Sequence, residues 1–592
     1  MKLSKLLIIG LTCTTLAACD LTEYPYTSIT DEELTNNPNS VEAVTLGNYS
    51  ALKRLEFNKG VHQIGEYGSD NVSMSGQSTS HTFNLYNYQR ITNNSYCSDL
   101  WGICYKTIVN CNKIISTSEE GSSKELDHLI GENYFIRALL YHQLAITFGR
   151  PYHVASDTDL AVPLKLTNNL DEYPPRATVK AVYEQVIKDL LKAEQLMEGS
   201  GIEKNACYGN QWVVKGMLSR VYLYMHDYEN AEKYATDVIE HSDKRLLTST
   251  EYVTMNELVP ESNPEAMFAI RMIKDDLNTL GAYSVIGSQY AVIDGQGYGE
   301  VYASLPLIQA LKRYPSDIRM SFISPQYEDP DEEKGQLYEL MFVGENYFYG
   351  NSLEPTRDPL HRTYYRFQNV EKVDDTHYKV IVDPNSDPFE LKETLITVDA
   401  DGYADNVEAR QIYRKDGQTA KAEWVTYRMH AQKKMRKRND YPRFYILKCQ
   451  GQEKFGQLWS PMVMRLSEMY LNRAEARYYL GNAEAIADLN IIKQRALVPD
   501  YSEQSDGELL DAILDERRKE LFAEAQRKYD LLRNDKVIDR HYPGCHDRGA
   551  ESAVVQEIHS KMTARYFISR KEKLILILLI FHKIPNTLIL SV

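Results

Sequence analysis

Apolar side chains recur at helical spacing through much of the first 240 residues. The pattern predicts helices over residues 100–116, 131–148 and 177–197, because each places its apolar positions on one face. Thr178 is the predicted N-cap of the third helix, since a threonine hydroxyl can accept a hydrogen bond from a free N–H of the first turn. Gly149, followed shortly by a proline, is a typical helix stop.

Three further helical patterns lie near the end of the chain, at residues 464–481, 483–496 and 508–532. The last of them contains the charged run ERRKEL at 516–521. On a helix, charges one turn apart are neighbours, so we expect these side chains to pair mainly along the helix itself.

Two helical hairpins have the small and aromatic positions of a tetratricopeptide helix pair. The first carries them at Ser219, Tyr222, Ala231, Ala235 and Val238. The second half of the pattern recurs at Ala485, Leu489 and Ile492 after a slightly shorter turn. Small residues at such positions let antiparallel helices approach closely. The two hairpins are far apart in sequence, so the chain is not a continuous repeat array.

Between the hairpins, residues 242–460 have a different texture. Gly, Asn, Asp and Tyr interrupt the apolar pattern, and only short strands are predicted, for example at 378–384 and 441–448. The whole chain is therefore predicted to be mainly α, with tetratricopeptide-like helical hairpins forming a scaffold and an irregular, loop-rich insert containing short strands. Loops held by a rigid scaffold commonly carry binding residues.

The first eighteen residues have the pattern of a secretory leader. Lys2 and Lys5 precede eleven mostly apolar residues, too few to span a bilayer. The sequence Leu-Ala-Ala-Cys that ends at Cys19 resembles the lipobox of bacterial lipoproteins, which implies cleavage before Cys19 and acyl chains on its thiol and amino group. Several acyl chains hold a protein stably on a membrane.

Composition narrows the choice of partners. The formal net charge of −16 argues against nucleic acid as the main partner, because such binding needs a basic surface. Beyond the leader and Cys19 there is no C-x-x-C pair, so the remaining cysteines are predicted to be small core residues, with a disulfide among some of them left open. They are Cys97, Cys104, Cys111, Cys207, Cys449 and Cys545.

Tyrosine is unusually frequent, with 43 residues against 4 tryptophans. A tyrosine ring can cover the C–H face of a sugar while its hydroxyl meets a sugar hydroxyl, although most tyrosines are expected to pack in the core. Three loops, 65–88, 281–302 and 344–351, combine such rings with amides and carboxylates. The candidate ligand-binding residues are Tyr67, Asp70, Asn71, Tyr86, Tyr283, Gln289, Tyr290, Tyr298 and Tyr347.

No pattern in the sequence singles out a catalytic centre, a cofactor or a bound metal. The chain lacks G-x-S-x-G, H-E-x-x-H and Walker A motifs, so no catalytic residue and no cofactor is predicted. The glycine run at 295–299 is predicted to be a flexible loop. The segment DADGYADN, residues 399–406, is compatible with a solvated turn or with a calcium site, although its spacing departs from an EF-hand.

Several segments together resemble the SusD/RagB family of surface lipoproteins of Bacteroidota. They are GENYFIRALLYHQLAITFGRPY, VPL and RATVKAVYEQVIKDL in the first half, and MRLSEMYLNRAEARYYLGN, AIADLNIIKQRA and ILDERRKELFAEAQRKYDLLR in the second. The resemblance runs with gaps from Cys19 to about residue 535. It implies a non-catalytic, cell-surface protein of the outer membrane that captures an oligosaccharide and delivers it to a TonB-dependent, SusC-like transporter.

The expected organisation is a leader at 1–18 and one SusD-like body at 19–592. Within the body we expect an N-terminal helical half (19–241), the insert (242–460), C-terminal tetratricopeptide-like helices (461–545) and an atypical tail (546–592). The tail contains an apolar run at 574–581 that departs from the family pattern. Two other functions stay open: a surface glycoside hydrolase, which would use two carboxylates, and a helical scaffold that binds a peptide.

Overall fold

A computed structural model describes residue 34 and residues 37–74, 81–88, 94–343, 348–349, 363–364, 367–382, 389–413, 421–438, 441–540, 542 and 557–561. Cys19, Tyr347, Cys545 and the apolar run at 574–581 lie outside these ranges.

The first half of the chain is helical, as predicted, and its helices enclose the largest apolar core. Thr178 is the N-cap of the third predicted helix, because its hydroxyl accepts a hydrogen bond from the N–H of Ala181 at 3.2 Å. Gly149 follows directly on the helix that ends at Phe148. The helices are α1 (Pro38–Lys53), α2 (Leu55–Glu66), α3 (His81–Tyr86), α4 (Ser95–Thr117), α5 (Lys124–Phe148), α6 (Val179–Met197), α7 (Gln211–Met225) and α8 (Tyr228–His241).

Short helices, strands and 3₁₀ turns connect and follow the long helices, up to residue 325. The helices are α9 (Ser249–Tyr252), α10 (Lys274–Leu280), α11 (Gly287–Tyr290) and α12 (Leu305–Lys312), with single 3₁₀ turns at Tyr152–Val154, Met255–Glu257, Pro260–Ser262 and Ile318–Phe322. The strands are β1 (Val72–Met74), β2 (Leu160–Pro163), β3 (Arg176–Thr178), β4 (Ala266–Ala269), β5 (Val301–Ala303) and β6 (Ile323–Pro325). β1 pairs with β5, which ties the loop after α2 to the insert.

The insert contains a seven-stranded antiparallel sheet and is more regular than its sequence indicated. The strands of the sheet are β7 (Tyr338–Val343), β10 (Phe367–Lys372), β11 (His377–Val380), β12 (Phe389–Leu391), β13 (Leu395–Thr397), β14 (Tyr403–Tyr413) and β15 (Lys421–Lys433). Two further strands, β8 (Phe348–Tyr349) and β9 (Thr363–Tyr364), pair with each other outside it. The sheet order is β12-β14-β15-β7-β10-β11-β13. Val407, Ala409, Met429 and Ala431 alternate with polar residues and point to a small core of the sheet's own.

The chain then returns to the helical body and closes the second hairpin. The elements are β16 (Lys437–Arg438), β17 (Tyr441–Pro442), β18 (Phe444–Ile446), a 3₁₀ turn at Gln452–Lys454, β19 (Met462–Arg465), α13 (Leu466–Tyr479), α14 (Ala485–Arg495), α15 (Glu503–Asp506), α16 (Leu509–Leu521), α17 (Arg527–Arg533), β20 (Ile538–Asp539) and β21 (Glu557–Ile558). α13 packs against both α14 and α8, so the two hairpins lie side by side although residues 242–465 separate them. The predicted helical scaffold is confirmed.

The pattern at 508–532, predicted as one helix, is two helices with a break between Leu521 and Arg527. Ala523 and Ala525 have φ angles of 60° and 61°, a left-handed conformation that alanine rarely adopts. Their N–H groups both donate to the buried carboxylate of Glu66, each at 3.0 Å. The break therefore depends on a side chain far away in sequence.

The charged run in α16 also pairs differently from the prediction. Lys519 does lie near Asp515 on its own helix, at 3.2 Å. Glu516 also pairs with Lys519, at 3.0 Å, but in addition it binds Arg319 of another element at 2.5 Å, and Glu520 contacts Arg495 at 2.5 Å. Because α16 is buried on most sides, its charges must find partners on other elements instead of in solvent.

The described cysteines are buried, which fits their predicted role as small core residues. Cys97, Cys104 and Cys111 lie on the inner face of α4, within the largest apolar core. Burial raises the pKa of the Cys207 thiol to about 12, so this group is protonated at neutral pH. These residues serve as small apolar side chains.

Candidate functional site

Two tyrosines of the loop at 281–302 stand out at the surface. The side chains of Tyr283 and Tyr298 are 45% and 48% exposed, although most described tyrosines are at least partly buried. Their rings lie with centroids 5.3 Å apart and planes at 67°, an edge-to-face contact. The pair forms an aromatic corner that presents two ring surfaces in different orientations.

A tight hairpin brings the two rings together. Ile293 and Gln296 exchange two backbone hydrogen bonds of 2.9 Å, and between them Asp294 and Gly295 have φ angles of 51° and 75°. Two consecutive residues with positive φ match a type I′ turn, for which Asp-Gly is a preferred sequence. The turn sends the chain back so that Tyr298 returns beside Tyr283.

Ser288 connects both arms of the loop. Its hydroxyl lies 2.7 Å from the carbonyl oxygen of Tyr283, and its own carbonyl accepts hydrogen bonds from the N–H groups of Tyr298 and Gly299 at 2.7 and 3.0 Å. Ser288 is fully buried. The backbone of each tyrosine is therefore fixed from inside the protein while its ring stays outside.

Two side chains from later segments anchor the loop from below. The amide of Gln457 donates to the carbonyl oxygens of Gln296 and Ala291 at 2.7 and 3.3 Å. Arg438 donates to the carbonyl oxygen of Tyr298 at 3.1 Å. The glycine run at 295–299 was predicted to be a flexible loop, but these contacts make it an ordered turn. The Asp-Gly pair is the sequence signal that could have identified it.

Three of the predicted tyrosines lie inside the protein. Tyr67, Tyr86 and Tyr290 are fully buried, so their rings have no surface on which a sugar could stack. The Tyr290 hydroxyl is 2.6 Å from Nε2 of His62, and burial raises the pKa of Tyr290 well above its usual value. This placement does not support the prediction that these rings contact ligand; they pack within the core beneath the loops.

Asp70 and Asn71 are also buried and already have partners. Asp70 accepts hydrogen bonds from Arg527 at 2.9 and 3.2 Å, and the amide oxygen of Asn71 accepts one from Arg518 at 3.0 Å. The neighbouring guanidinium groups hold the pKa of Asp70 well below its usual range. Because ion pairs and amide contacts occupy both side chains, they do not fit the predicted role of binding sugar hydroxyls.

Gln289, the remaining candidate in this loop, is buried as well. It is 6% exposed, and its amide lies 3.3 Å from the Ser288 hydroxyl. The structure thus brings two of the nine predicted ligand-binding residues, Tyr283 and Tyr298, to one exposed site.

A carboxyl group with an elevated pKa occurs elsewhere, inside the helical body. Burial raises the pKa of Glu132 to about 7, a value that a general acid could have. Glu132 is 1% exposed, however, and accepts a hydrogen bond from Tyr49 at 2.6 Å. It lies in a network with Lys204 and His128, at 3.4 and 3.5 Å, and is closed off from solvent.

Within the described ranges, no helix is both long and apolar enough to cross a membrane. The same part of the chain holds no group of three or more His, Cys, Asp or Glu side chains that could bind a metal ion. In the segment 399–406, the Asp399 carboxylate accepts hydrogen bonds from the N–H groups of Asp401 and Tyr403, at 3.0 and 2.8 Å, and closes a turn.

Two family models match the chain. Residues 264–573, which are more than half of its length, match the model described as the SusD family, and residues 29–223 match one described as starch-binding associating with outer membrane. A SusD-like protein P38 from Formosa agariphila is 22% identical over 535 residues, which is 87% of each chain. A SusD-like protein from Bacteroides ovatus is 24% identical over 295 residues, covering 46% of this chain and 50% of its own.

Solved structures share the fold at low identity. A SusD superfamily protein from Bacteroides vulgatus aligns with a TM-score of 0.61 at 21% identity, over 92% of this chain and 97% of its own. A SusD-like carbohydrate binding protein from the same species aligns with a TM-score of 0.56 at 18% identity, over 85% and 84%. With the helical hairpins, the insert between them and the family models in agreement, the chain belongs to the SusD/RagB family.

Proposed function

We propose that this protein binds an oligosaccharide at the cell surface without catalysis and passes it to a TonB-dependent, SusC-like transporter of the outer membrane. One observation carries the binding part: the exposed aromatic corner of Tyr283 and Tyr298, on a loop held rigid from inside. Two ring faces at an angle can cover apolar C–H surfaces of a sugar, while the two tyrosine hydroxyls can form hydrogen bonds with the hydroxyl groups of the sugar. Family membership supports the same proposal, since relatives are described as starch-binding or carbohydrate-binding proteins.

The location and the partner are also proposals. The leader at 1–18 and the lipobox at Cys19 support an acyl anchor in the outer membrane, with residues 19–592 as one body exposed at the surface. Family membership supports a SusC-like transporter as the partner. We also propose that the body consists of the four parts predicted from the sequence, with boundaries after residues 241, 460 and 545. Binding without chemistry fits the site, because the aromatic corner is built from rings and backbone atoms.

Binding is expected to be weak, with Kd between micromolar and millimolar, which corresponds to about 4–8 kcal/mol. Weak binding suits a carrier, because a captured oligosaccharide must be released. The contacts are neutral, so the affinity should change little with salt concentration.

The test is calorimetry of the soluble body, without the acyl anchor, against a panel of neutral oligosaccharides, followed by variants at the corner. Tyr283→Ala combined with Tyr298→Ala should weaken binding about tenfold, from roughly 0.5–1.5 kcal/mol per lost ring contact. Tyr173→Ala is the matched control, because this tyrosine is 38% exposed and lies on the N-terminal half. Unchanged affinity in the double variant would mean that ligand binds elsewhere, and shortened products after incubation would indicate a glycoside hydrolase.

A further inference from the structure

An ion pair lies beside the aromatic corner, between Arg438 on β16 and Glu300 in the loop at 281–302. Nη1 of the guanidinium donates to the carbonyl oxygen of Tyr298 at 3.1 Å, and Nη2 contacts Oε1 of Glu300. Glu300 comes two residues after Tyr298, so the Cα atoms of these two residues lie at most about 7 Å apart. The charged pair is thus attached to the same short segment that carries one ring of the corner.

Both charged side chains are held in place and still reach solvent. The N–H of Glu300 donates to the carbonyl oxygen of Gln289 at 2.9 Å, and Arg438 lies opposite Tyr441 where β16 pairs with β17. The side chains of Arg438 and Glu300 are 36% and 33% exposed. A site whose polar groups are fixed before the ligand arrives loses less conformational entropy on binding.

The pair has hydrogen-bonding capacity beyond its internal contacts. A guanidinium carries five N–H groups, and the contacts with Tyr298 and Glu300 use two of them. A carboxylate offers about four acceptor positions on its two oxygens, and Arg438 contacts one oxygen only, Oε1. Donors and an acceptor are therefore available side by side.

This combination suits the hydroxyl groups of an uncharged sugar. A hydroxyl both donates and accepts, so two adjacent sugar hydroxyls can accept from Arg438 and donate to Glu300 at the same time. A carboxylate or sulfate on a sugar has no proton to donate to Glu300, and the two negative charges would repel each other. Glu300 also balances the charge of Arg438, so the guanidinium is a weaker attractant for an anion than an unpaired one.

We propose that Arg438 and Glu300 form the polar part of the ligand site and select uncharged sugars with two adjacent hydroxyls over sugars that carry a carboxylate or a sulfate. The rings of the corner cover the C–H face of such a sugar, and the ion pair binds hydroxyls at its edge. This inference rests on the proposed binding of an oligosaccharide at the corner and adds the class of sugar.

Glu300→Gln tests the selection, because glutamine keeps the size of the side chain and one acceptor oxygen but removes the charge. The probes for calorimetry are four neutral hexaoses (maltohexaose, cellohexaose, xylohexaose and mannohexaose) and the hexamer of galacturonic acid. Affinity for the neutral hexaose that the wild type binds best should fall about fivefold, since a hydrogen bond to a charged group is stronger than one to a neutral group. Affinity for the galacturonic acid hexamer should rise, because Arg438 would be left with an unbalanced charge, and this gain should shrink as salt is added.

Glu251→Gln is the matched control. Glu251 binds Arg245 at 2.8 and 2.9 Å, and the two side chains are 39% and 55% exposed. The side-chain hydrogen bonds of this pair stay within residues 245–251. The control variant loses an exposed ion pair of the same kind, so it should bind every probe as the wild type does.

The possible failures can be told apart. If Glu300→Gln binds all probes like the wild type, while the double substitution of Tyr283 and Tyr298 weakens binding, the selection by the ion pair is wrong and the proposed function stands. If the wild type prefers the galacturonic acid hexamer to all four neutral hexaoses, Arg438 recognises an anion and the selection is also wrong. If none of the five probes binds, the proposed function fails together with this inference. Circular dichroism checks that the variant folds, and if it does not, the preference of the wild type decides alone.

Discussion

Arg527 donates two hydrogen bonds to the carboxylate of Asp70, at 2.9 and 3.2 Å, across 457 residues of chain. Arg518 approaches the same carboxylate at 3.5 Å. All three side chains are largely buried. The loop that follows α2 is therefore fastened to α16 and α17, and the two halves of the chain are joined at this point.

Replacing Asp70 by asparagine should destabilise the protein by about 3–5 kcal/mol, because two buried guanidinium groups would lose their charge partner. Urea unfolding followed by circular dichroism measures the change. Oligosaccharide affinity should stay the same, because the Asp70 side chain is buried and bound by Arg527, so it cannot contact a ligand at the surface. A variant that keeps its stability but loses affinity would instead show that Asp70 contacts the oligosaccharide.

The same ion pair predicts a pH dependence. The pKa of Asp70 is lowered in the folded protein, so its contribution to stability is present above its ordinary pKa of 3.8 and is lost as the pH falls below that value. Comparison of wild type with Asp70→Asn in unfolding experiments between pH 5 and pH 3 should show the difference narrowing as the pH drops. A difference that stays constant would contradict the lowered pKa.

Glu132 should produce a pH dependence of the opposite sign. Its pKa is raised from 4.5 to about 7 by burial, so the folded state holds a proton that the unfolded state releases between these values. Its contribution to stability is full below pH 4.5 and is lost as the pH rises through 7. The change amounts to roughly 3 kcal/mol, from about 1.4 kcal/mol for each pH unit.

Glu132→Gln isolates this effect, because glutamine keeps the shape of the protonated acid. The stability of the wild type relative to this variant should fall as the pH rises from 4.5 to 7. His128, 3.5 Å from Glu132, has its pKa lowered to about 4, which makes the protein less stable as the pH falls below 6.5. Both proteins contain this histidine, so the difference between their unfolding free energies reports mainly on Glu132.

The sequence predicts those features whose interactions lie within a few residues of each other along the chain, and misses those that depend on distant residues. The N-cap at Thr178 and the stop at Gly149 are local, and both were found correctly because the groups they satisfy lie within one helical turn. The break after Leu521 was missed, because it depends on Glu66, more than 450 residues away. Likewise, the pattern around Asp70 and Asn71 looked like a polar surface loop, since their arginine partners lie in another part of the chain.

The candidate site was likewise predictable from the sequence only in part. Tyrosine frequency could locate loops rich in rings, but it could not separate Tyr283 from Tyr290, seven residues apart. Tyr290 points inward to His62, whereas Tyr283 is 45% exposed. Ser288 and Gln457, which hold the loop, carry no sequence signal of their own, because their role is to bind backbone carbonyl or N–H groups.

Gly297 provides a final test of whether the order of this loop matters for binding. A Cβ atom at this position would lie 2.3 Å from the carbonyl oxygen of Ala291 and 2.8 Å from the amide nitrogen of Gln457, so Gly297→Ala must displace the hairpin. We expect the variant to keep nearly the melting temperature of the wild type, because the loop lies at the surface. Its oligosaccharide affinity should fall several-fold, because Tyr298 would shift relative to Tyr283.

Gly335→Ala is the matched control: its φ is also positive, at 69°, and its Cβ would meet nothing within 4 Å. Both variants carry the strain of an alanine at positive φ, and only the first moves the aromatic corner. Equal affinities for the two variants, measured by calorimetry with the same oligosaccharide, would show that the rings bind without the help of an ordered loop.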